Sequence, residues 1–516
     1  MKRSLLKMLT LALAMVLAFS FMAGCGGDDG NKGSSPGGVA SQNKGSNSIV
    51  IATANETPTM APHQHSAVAG GYMNILTHNT LFQTNIETLV PEPCLVEDYE
   101  ILNDKQWELH LREGVKFHNG ETMTAEDVKA SMEYAREYSS YTNTYSNFWE
   151  SVEVVDDLTL IVTTKEVYAK TLYDLASHYV LPKSLLDSGN DFNANPVGTG
   201  PYKFVKWTLG DSVEFEAFED YWEGAPAIKK LTYRIIPEGS SRTIALEAGE
   251  VDFIVEVETN DLTRLEETNG VTVINKMGTA FNHLAINNER APFDNQEFRH
   301  ALNCAIDKEA LVEVALNGAG TPVWAQTPEM FEGYSEDNLD SYDLDLAKQY
   351  IEASGIDPTT VEFSIICSDD VKRRSGEVIQ ANLKELGITV NLESMDLATY
   401  LSTVADGDYD AAIGGYTTTN MMSFIEGKFT TKSIGGSNWN RVSDATIDDL
   451  YIDATTDLDD TTRVATLEEC SAYINELCPQ VPMYIVNVVR AYNSDLQGIE
   501  VSASNTLRWQ YVSWAE

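Results

Sequence analysis

Two imidazoles at His63 and His65, a doubled guanidinium at Arg373 and Arg374, and six scattered thiols are the groups in this 516-residue chain with chemistry to offer. Side chains at i and i+2 do not share a helical face, and no third ligand accompanies the two histidines, so no metal centre is predicted. The thiols are Cys25, Cys94, Cys304, Cys367, Cys470 and Cys478, and no C-x-x-C joins any of them. Zinc and thioredoxin-like chemistry therefore lack their usual spacing. Arg373 and Arg374 follow Ser368-Asp369-Asp370 between a predicted strand and a predicted helix. Such a pair could hold a carboxylate or simply ion-pair with Asp369 or Asp370. H-E-x-x-H and G-x-x-x-x-G-K-[ST] are absent, and Gly198-x-Gly200 lacks the third glycine of a dinucleotide loop. Paired carboxylates are too common at this composition to mark glycosidase chemistry. No catalytic residue, metal or cofactor is expected, and the chain does not read as an enzyme.

Acids outnumber bases 78 to 35, a formal charge of −43, which argues against nucleic-acid partners and against electrostatic attachment to anionic lipid. Lys2, Arg3 and Lys7 precede an apolar stretch from Leu9 to Phe21, shorter than the roughly 20 residues of a membrane span. A charged start, a short apolar run and then small residues predict an export signal. The run ends in Phe21-Met22-Ala23-Gly24-Cys25, which resembles the lipobox of bacterial lipoproteins. That resemblance implies cleavage after residue 24, lipid on Cys25, and an extracytoplasmic protein anchored at the cell membrane. Residues 25–47, polar and rich in Gly and Ser, are expected to be a flexible tether reaching roughly 25 Å. The five remaining cysteines are odd in number, and Cys470 and Cys478 are separated by about 12 Å of helix, too far to bond. Small buried thiols are expected, with no disulfide framework.

The elements behind these groups are of both kinds. Ser48 to Thr53 is β-branched and apolar, and Trp107 to Arg112 alternates with period two, so both predict strands. Thr124 with Asp127 predicts a capped helix start, Asp156-Asp157 a hairpin, and Asn119-Gly120 a turn. Gly198 and Gly200 are expected to serve a turn at positive φ. Tyr202 to Trp207 and Ser212 to Phe218 read as strands, Phe298 to Val314 as one helix, and Leu344 to Ser354 as another ended by Gly355. Strand Val361 to Cys367, helix Gly376 to Leu386 and strand Ile388 to Leu392 predict a parallel β-α-β unit. Helix Thr462 to Leu477 and strand Val481 to Val489 follow. The class is α/β.

Four blocks in order resemble the family 5 solute-binding proteins of bacterial ABC importers, the dipeptide, oligopeptide and nickel receptors. They are Trp107 to Gly120 with Thr124 to Val128; Pro196 to Tyr202 with Tyr221-Trp222 and Gly224-Ala225-Pro226; Pro292-Phe293-Asp294, Phe298 to Leu302 and Ala305 to Lys308; and Leu386 to Val390 with Gly407 to Asp410. The resemblance implies two lobes joined by a hinge. Residues 48–75, 195–280 and 485–516 would form the core of lobe I, 76–194 its extra subdomain and 281–484 lobe II, with hinge strands crossing near 280 and 484.

The same resemblance points to a ligand site. The family's cleft stretch of aromatic, two residues and Asp falls on Gly415-Tyr416-Thr417-Thr418-Thr419, so Tyr416 matches and Thr419 stands where an acid receives the ammonium of a peptide. A Thr hydroxyl accepts a hydrogen bond but supplies no countercharge. Asn438 and Trp439 fall where relatives line the cleft, Arg373 faces it by position, and Glu56 and Tyr145 are further candidates. The implied function is an extracytoplasmic receptor, acting as a monomer, that captures a peptide or peptide-like solute and delivers it to permease and ATPase subunits. Receptors for a metal chelate, glycoside or other small solute, and a lipid-anchored hydrolase, stay open as alternatives.

Overall fold

The structure is a computed structural model and describes residues 39, 41, 43–65, 67–138 and 148–516. The leader, Cys25 and Tyr145 lie outside them. The strand Ser48–Thr53 forms where its β-branched run predicts and pairs in parallel with Lys230–Ile235. The sheet grown around it runs Thr389–Ser394, Glu362–Cys367, Ala411–Thr417, Val271–Ile286, Gln480–Asn493, Phe253–Ile254, Ser48–Thr53, Lys230–Ile235, Ser212–Ala217 and Tyr202–Thr208. An eleventh strand, Gly320–Pro322, adds to Gln480–Asn493.

Two of these strands, 16 and 14 residues long, connect the halves of the sheet. Val271–Ile286 pairs with Ala411–Thr417 only from Ala280 onward, and Gln480–Asn493 reaches Phe253–Ile254 only through Ala491 and Tyr492. Their mutual register shifts between Met277 and Ala280 and again between Asn282 and His283, irregularities that bend and twist a ladder locally. Separate apolar cores flank this crossing. One gathers Ile51, Tyr202, Tyr233, Phe253 and Trp509, and the other Leu284, Phe298, Ile365, Ile379 and Val481. A third core belongs to a four-stranded antiparallel sheet, Val96–Asn103, Gln106–Leu111, Thr159–Thr164 and Trp149–Asp156, under the helix Ala125–Tyr138. Trp107, Leu109 and Leu111 bury on it in the expected alternation.

Local chemistry explains most element ends. Asp127 accepts from both the amide and the hydroxyl of Thr124, at 2.8 and 3.0 Å, which fixes the helix start. Gly355 closes Leu344–Ser354 at φ +71°. The parallel pair Glu362–Cys367 and Thr389–Ser394 flanks the helix Asp370–Lys384, the predicted β-α-β unit. That helix starts six residues earlier than its apolar periodicity indicated, because Asp369 caps it by accepting from the Lys372 amide.

Three further expectations are corrected. Phe298 to Val314 is two helices, Gln296–Ala305 and Lys308–Leu316, because Asp307 caps the second by accepting from Ala310 N at 2.9 Å. Gly198 and Gly200 do not adopt positive φ. They allow close approach, since a Cβ would sit 2.3 Å from Thr77 O at the first and 2.4 Å from Leu76 O at the second. Finally, the end of the supposed tether is docked: Ser41 and Asn43 both donate to Asp252, and Asn493 donates to Val39 O at 3.1 Å. Cys94, Cys304, Cys367, Cys470 and Cys478 are buried and unbonded, as small apolar side chains.

Candidate ligand-binding cleft

A cavity of about 810 Å³ opens between residues 84–177 and residues 416–456. Its size is that of small-molecule sites, roughly 300–1,000 Å³. One wall starts where the buried run Ala411-Ala412-Ile413-Gly414 ends and Tyr416 emerges from the sheet. Asn420 caps the next helix, Met421–Phe429, by accepting from Ser423 N at 2.8 Å. Gly427 lets the tyrosine lie on that helix, since a Cβ there would stand 2.0 Å from the Tyr416 hydroxyl oxygen. The opposite wall follows the strand Thr159–Thr164 and contributes Val167, Tyr168, Lys170, Tyr173, Asp174 and Ser177. The helix Ala445–Thr456 supplies Tyr451, Ile452, Thr455 and Thr456.

The walls touch at one side. Ala169 N donates to Thr455 O at 3.0 Å, and the Lys170 ammonium meets the Glu426 carboxylate at 2.5 Å. Lys432 contacts the same carboxylate at 2.8 Å. Leu89 and Ala169 pack with Phe281, Met421, Met422 and Phe424 behind these pairs. Burial alone would raise the Glu426 carboxyl, but Lys170 and Lys432 outweigh it and hold it at about 2. Asp174 is the opposite case. Burial pushes its carboxyl up to about 7, against the Tyr168 hydroxyl that donates to it at 2.8 Å and the nearby charge of Lys170. Tyr168, Tyr173 and Tyr451 are all raised by burial and neighbouring acids, so they present neutral hydroxyls.

Beneath Tyr416 lies a buried cation. Lys428 donates to His283 Nε2 at 2.6 Å, and its ammonium sits 5.9 Å from the Tyr416 ring and 5.4 Å from the Trp439 ring. Burial lowers it to about 7, and burial together with the charge of Lys428 drives His283 well below its ordinary value.

Of the residues expected from the sequence, Tyr416 and Thr419 line the cavity. Tyr145 lies outside the described residues, and Asn438, Trp439, Arg373 and Glu56 do not line it. Asn438 is buried and donates to Thr430 O and Val442 O, holding its own loop. Trp439 packs edge-on against Tyr400 and over Gly414, where a Cβ would lie 2.3 Å away. Arg373 sits in the first turn of Asp370–Lys384 and pairs with Asp370 and Glu377, while Arg374 donates to Ala315 O at 2.8 Å. Glu56 accepts from Trp207 Nε1 at 2.7 Å and Gly210 N at 2.9 Å, a local brace within its own half of the sheet. Sequence reasoning missed Tyr168, Lys170, Asp174, Glu426 and Tyr451. Lys170 and Glu426 stand 256 positions apart, and only the fold relates them.

His63 Nε2 lies 3.2 Å from Tyr179 O, and His65 Nε2 lies 3.0 Å from the Asn74 side-chain amide. Among the described residues, His300, Asp340 and Cys478 bring ligating atoms within 4.8 Å. Asp340 is already shared by His300 and Asn303 at 2.8 Å each, and the buried Lys308 ammonium donates to Asn303 at 2.6 Å. A cation so close opposes a second one, and the group is a brace between helices. Gly33-Ser34-Ser35-Pro36-Gly37 does spell G-x-S-x-G, but in a polar Gly- and Ser-rich tract without the strand-turn-helix signal that a nucleophile elbow needs. No helix among the described residues is long and apolar enough to cross a membrane.

Comparison with known proteins agrees with this architecture. Residues 90–435 match the family described as bacterial extracellular solute-binding proteins, family 5 Middle. The chain is 28% identical over 429 residues to heme-binding protein A of Haemophilus influenzae, covering 76% of this chain and 78% of that one. It is 24% identical over 532 residues to the oligopeptide-binding protein AppA of Bacillus subtilis, covering 96% of each. The solved structure of HbpA2 from Haemophilus parasuis superimposes with a TM-score of 0.85 at 23% identity, over 91% of this chain and all of that one, and establishes the two-lobed periplasmic-binding-protein fold. The chain therefore belongs to the family 5 extracellular solute-binding proteins of ABC importers, and it is not an enzyme.

Proposed function

We propose that the protein captures a peptide or peptide-like solute in the cleft bounded by Tyr168, Lys170, Asp174, Tyr416, Thr419 and Tyr451, and hands it to a membrane permease. The observation that carries this reading is the cavity itself. About 810 Å³ is bounded by segments from both sides of the crossing strands, so a ligand there touches both and favours their closure. Segments 48–75, 195–280 and 485–516 act as one lobe, 76–194 as its added subdomain and 281–484 as the other, with Val271–Ile286 and Gln480–Asn493 as the hinge. Relatives named for oligopeptides and heme support a solute of this scale. Cys25 carries the lipid that keeps this monomeric receptor at the outer face of the membrane.

The direct test is mass spectrometry of small molecules released on denaturing the purified protein, paired with scattering before and after their return. A peptide-like species whose return reduces the radius of gyration is the expected result. A released species without peptide bonds would overturn the peptide assignment, and a radius unchanged at saturation would overturn closure.

A further inference from the structure

Resting on that reading, we propose that Asp174, on the 76–194 side of the cleft, receives a primary ammonium of the ligand and takes the place of the acid missing at Thr419. Four acidic or basic side chains line the cavity: Lys170, Asp174, Glu426 and Lys432. The two lysines converge on Glu426, one on each carboxylate oxygen, so its charge is already countered. Asp174 is different. The residue is 6% exposed, and among the described residues Tyr168 is its one side-chain hydrogen-bond donor, reaching Oδ2 at 2.8 Å. A carboxylate offers about four acceptor positions, so this one keeps room for a donor from a ligand in the cavity that it lines. An ionised carboxylate left in that state is costly, and the cost disappears when a cation docks on it. Its raised proton affinity, to about 7, reflects the same deficit.

Of the neighbouring acids, Glu426 already meets two lysines, and Glu332 lines the adjoining pocket beside Tyr173 and Thr419, not this cavity. Thr417, Thr418, Thr419 and Asn420 form the facing wall, and Tyr168, Tyr173, Tyr416 and Tyr451 are neutral hydroxyls. A structural role for Asp174, as acceptor for Tyr168, needs no charge. Binding an ammonium does need it, and the two roles separate in a charge-sensitive assay.

The test is calorimetric titration of di- to penta-alanine, the same peptides N-acetylated, and N-acetyl-Ala-Lys-Ala, against wild type and Asp174→Asn. Asparagine still accepts from Tyr168. We expect free-amine peptides, the lysyl peptide, or both to lose about tenfold or more in affinity while acetylated alanine peptides do not change; the two cationic arms tell an α-ammonium from a side-chain one. Wild-type affinity for the responding peptide should also fall as pH drops below about 7, by up to tenfold per unit, and Asp174→Asn should lack that slope. Should Asp174→Asn not fold, Tyr168→Phe removes the Tyr168 hydroxyl donor and should shift the same threshold upward. Equal affinities of wild type and Asp174→Asn for every cationic peptide, or an equal loss for acetylated ones, overturn the assignment of Asp174 alone. Failure of wild type to bind any of these peptides overturns the peptide reading and this assignment with it.

Discussion

Replacing Lys170 by Met should loosen the cleft, because the Lys170–Glu426 pair joins segments that the proposed hinge moves apart. The size of the effect follows from Glu426. Its carboxyl is lowered from 4.5 to about 2, which corresponds to about 3 kcal/mol of favourable interaction. The Glu426 side chain is 30% exposed and water screens it, which reduces the usable part to about 2 kcal/mol. Lys432 takes part of this, but its side chain is 57% exposed, whereas that of Lys170 is 11% exposed. The larger share, about 1.5 kcal/mol, falls to Lys170 and corresponds to about a tenfold change in the closure constant. Methionine keeps the stem packed and leaves Glu426 with Lys432. The sign with pH is fixed by the lowered carboxyl: the contact is fully present above about 4.5 and is lost as pH falls toward about 2. Small-angle scattering of wild type, Lys170→Met and Lys432→Met at pH 7 reads the populations, and calorimetry with the alanine peptides reads the coupled loss of affinity. Lys170→Met should be more open and bind about tenfold more weakly, and Lys432→Met should stay near wild type. Identical radii and affinities for wild type and Lys170→Met, or equal effects of the two substitutions, would refute the reasoning.

Other outcomes follow from single residues. Thr419→Asp should strengthen binding of free-amine relative to acetylated peptides by about tenfold or more, checked by the same calorimetry; an unchanged preference in a folded variant would place Thr419 away from the cationic end. Lys428→Met should remove a buried ammonium whose proton affinity is lowered to about 7. Wild type should therefore gain stability over the variant as pH rises from about 7 to 10, measured by urea unfolding, because the unfolded lysine keeps its proton over that range and the folded one does not. Cys25→Ala should release a folded protein from membranes, and retention by membrane pelleting would contradict lipidation at that position.

What the sequence made legible was local. The strand Ser48–Thr53, the Thr124–Asp127 start, the Gly355 stop and the β-α-β unit all rest on residues a few positions apart, and the fold keeps them. The break at Asp307 was readable in principle, since an Asp inside an apolar periodic run can cap as well as continue a helix. The cleft was legible only where the family stretch ran through it, at Tyr416 and Thr419. Arg373 attracted notice as a cation in an acidic chain, yet neighbouring acids on its own helix satisfy it. Glu56 was plausible by position, but Trp207 and Gly210 consume its carboxylate. Asp174 and Glu426 carry no local signature, being ordinary acids among 78 until the fold gives one of them two lysines and the other a single tyrosine.

If the cleft closes as proposed, that asymmetry between the two acids would also couple ligand capture to closure. Lys170 lies four positions from Asp174 and acts on both carboxylates: it lowers Asp174 by its charge and bonds Glu426 directly. In an open cleft of the proposed kind, with Glu426 carried away on the helix Met421–Phe429, Asp174 would be the acid left within the field of Lys170. An ammonium docked on Asp174 would neutralise it and weaken that hold, freeing Lys170 to bond Glu426 as the walls meet. The same cation would then favour the contact that shuts the cleft, and by linkage a closed cleft would hold the cation more tightly. Under this scheme Asp174→Asn in the absence of ligand should mimic the neutralised state and resemble the closed form, whereas Lys170→Met should uncouple the two events, leaving ammonium recognition at Asp174 but without its advantage in closure.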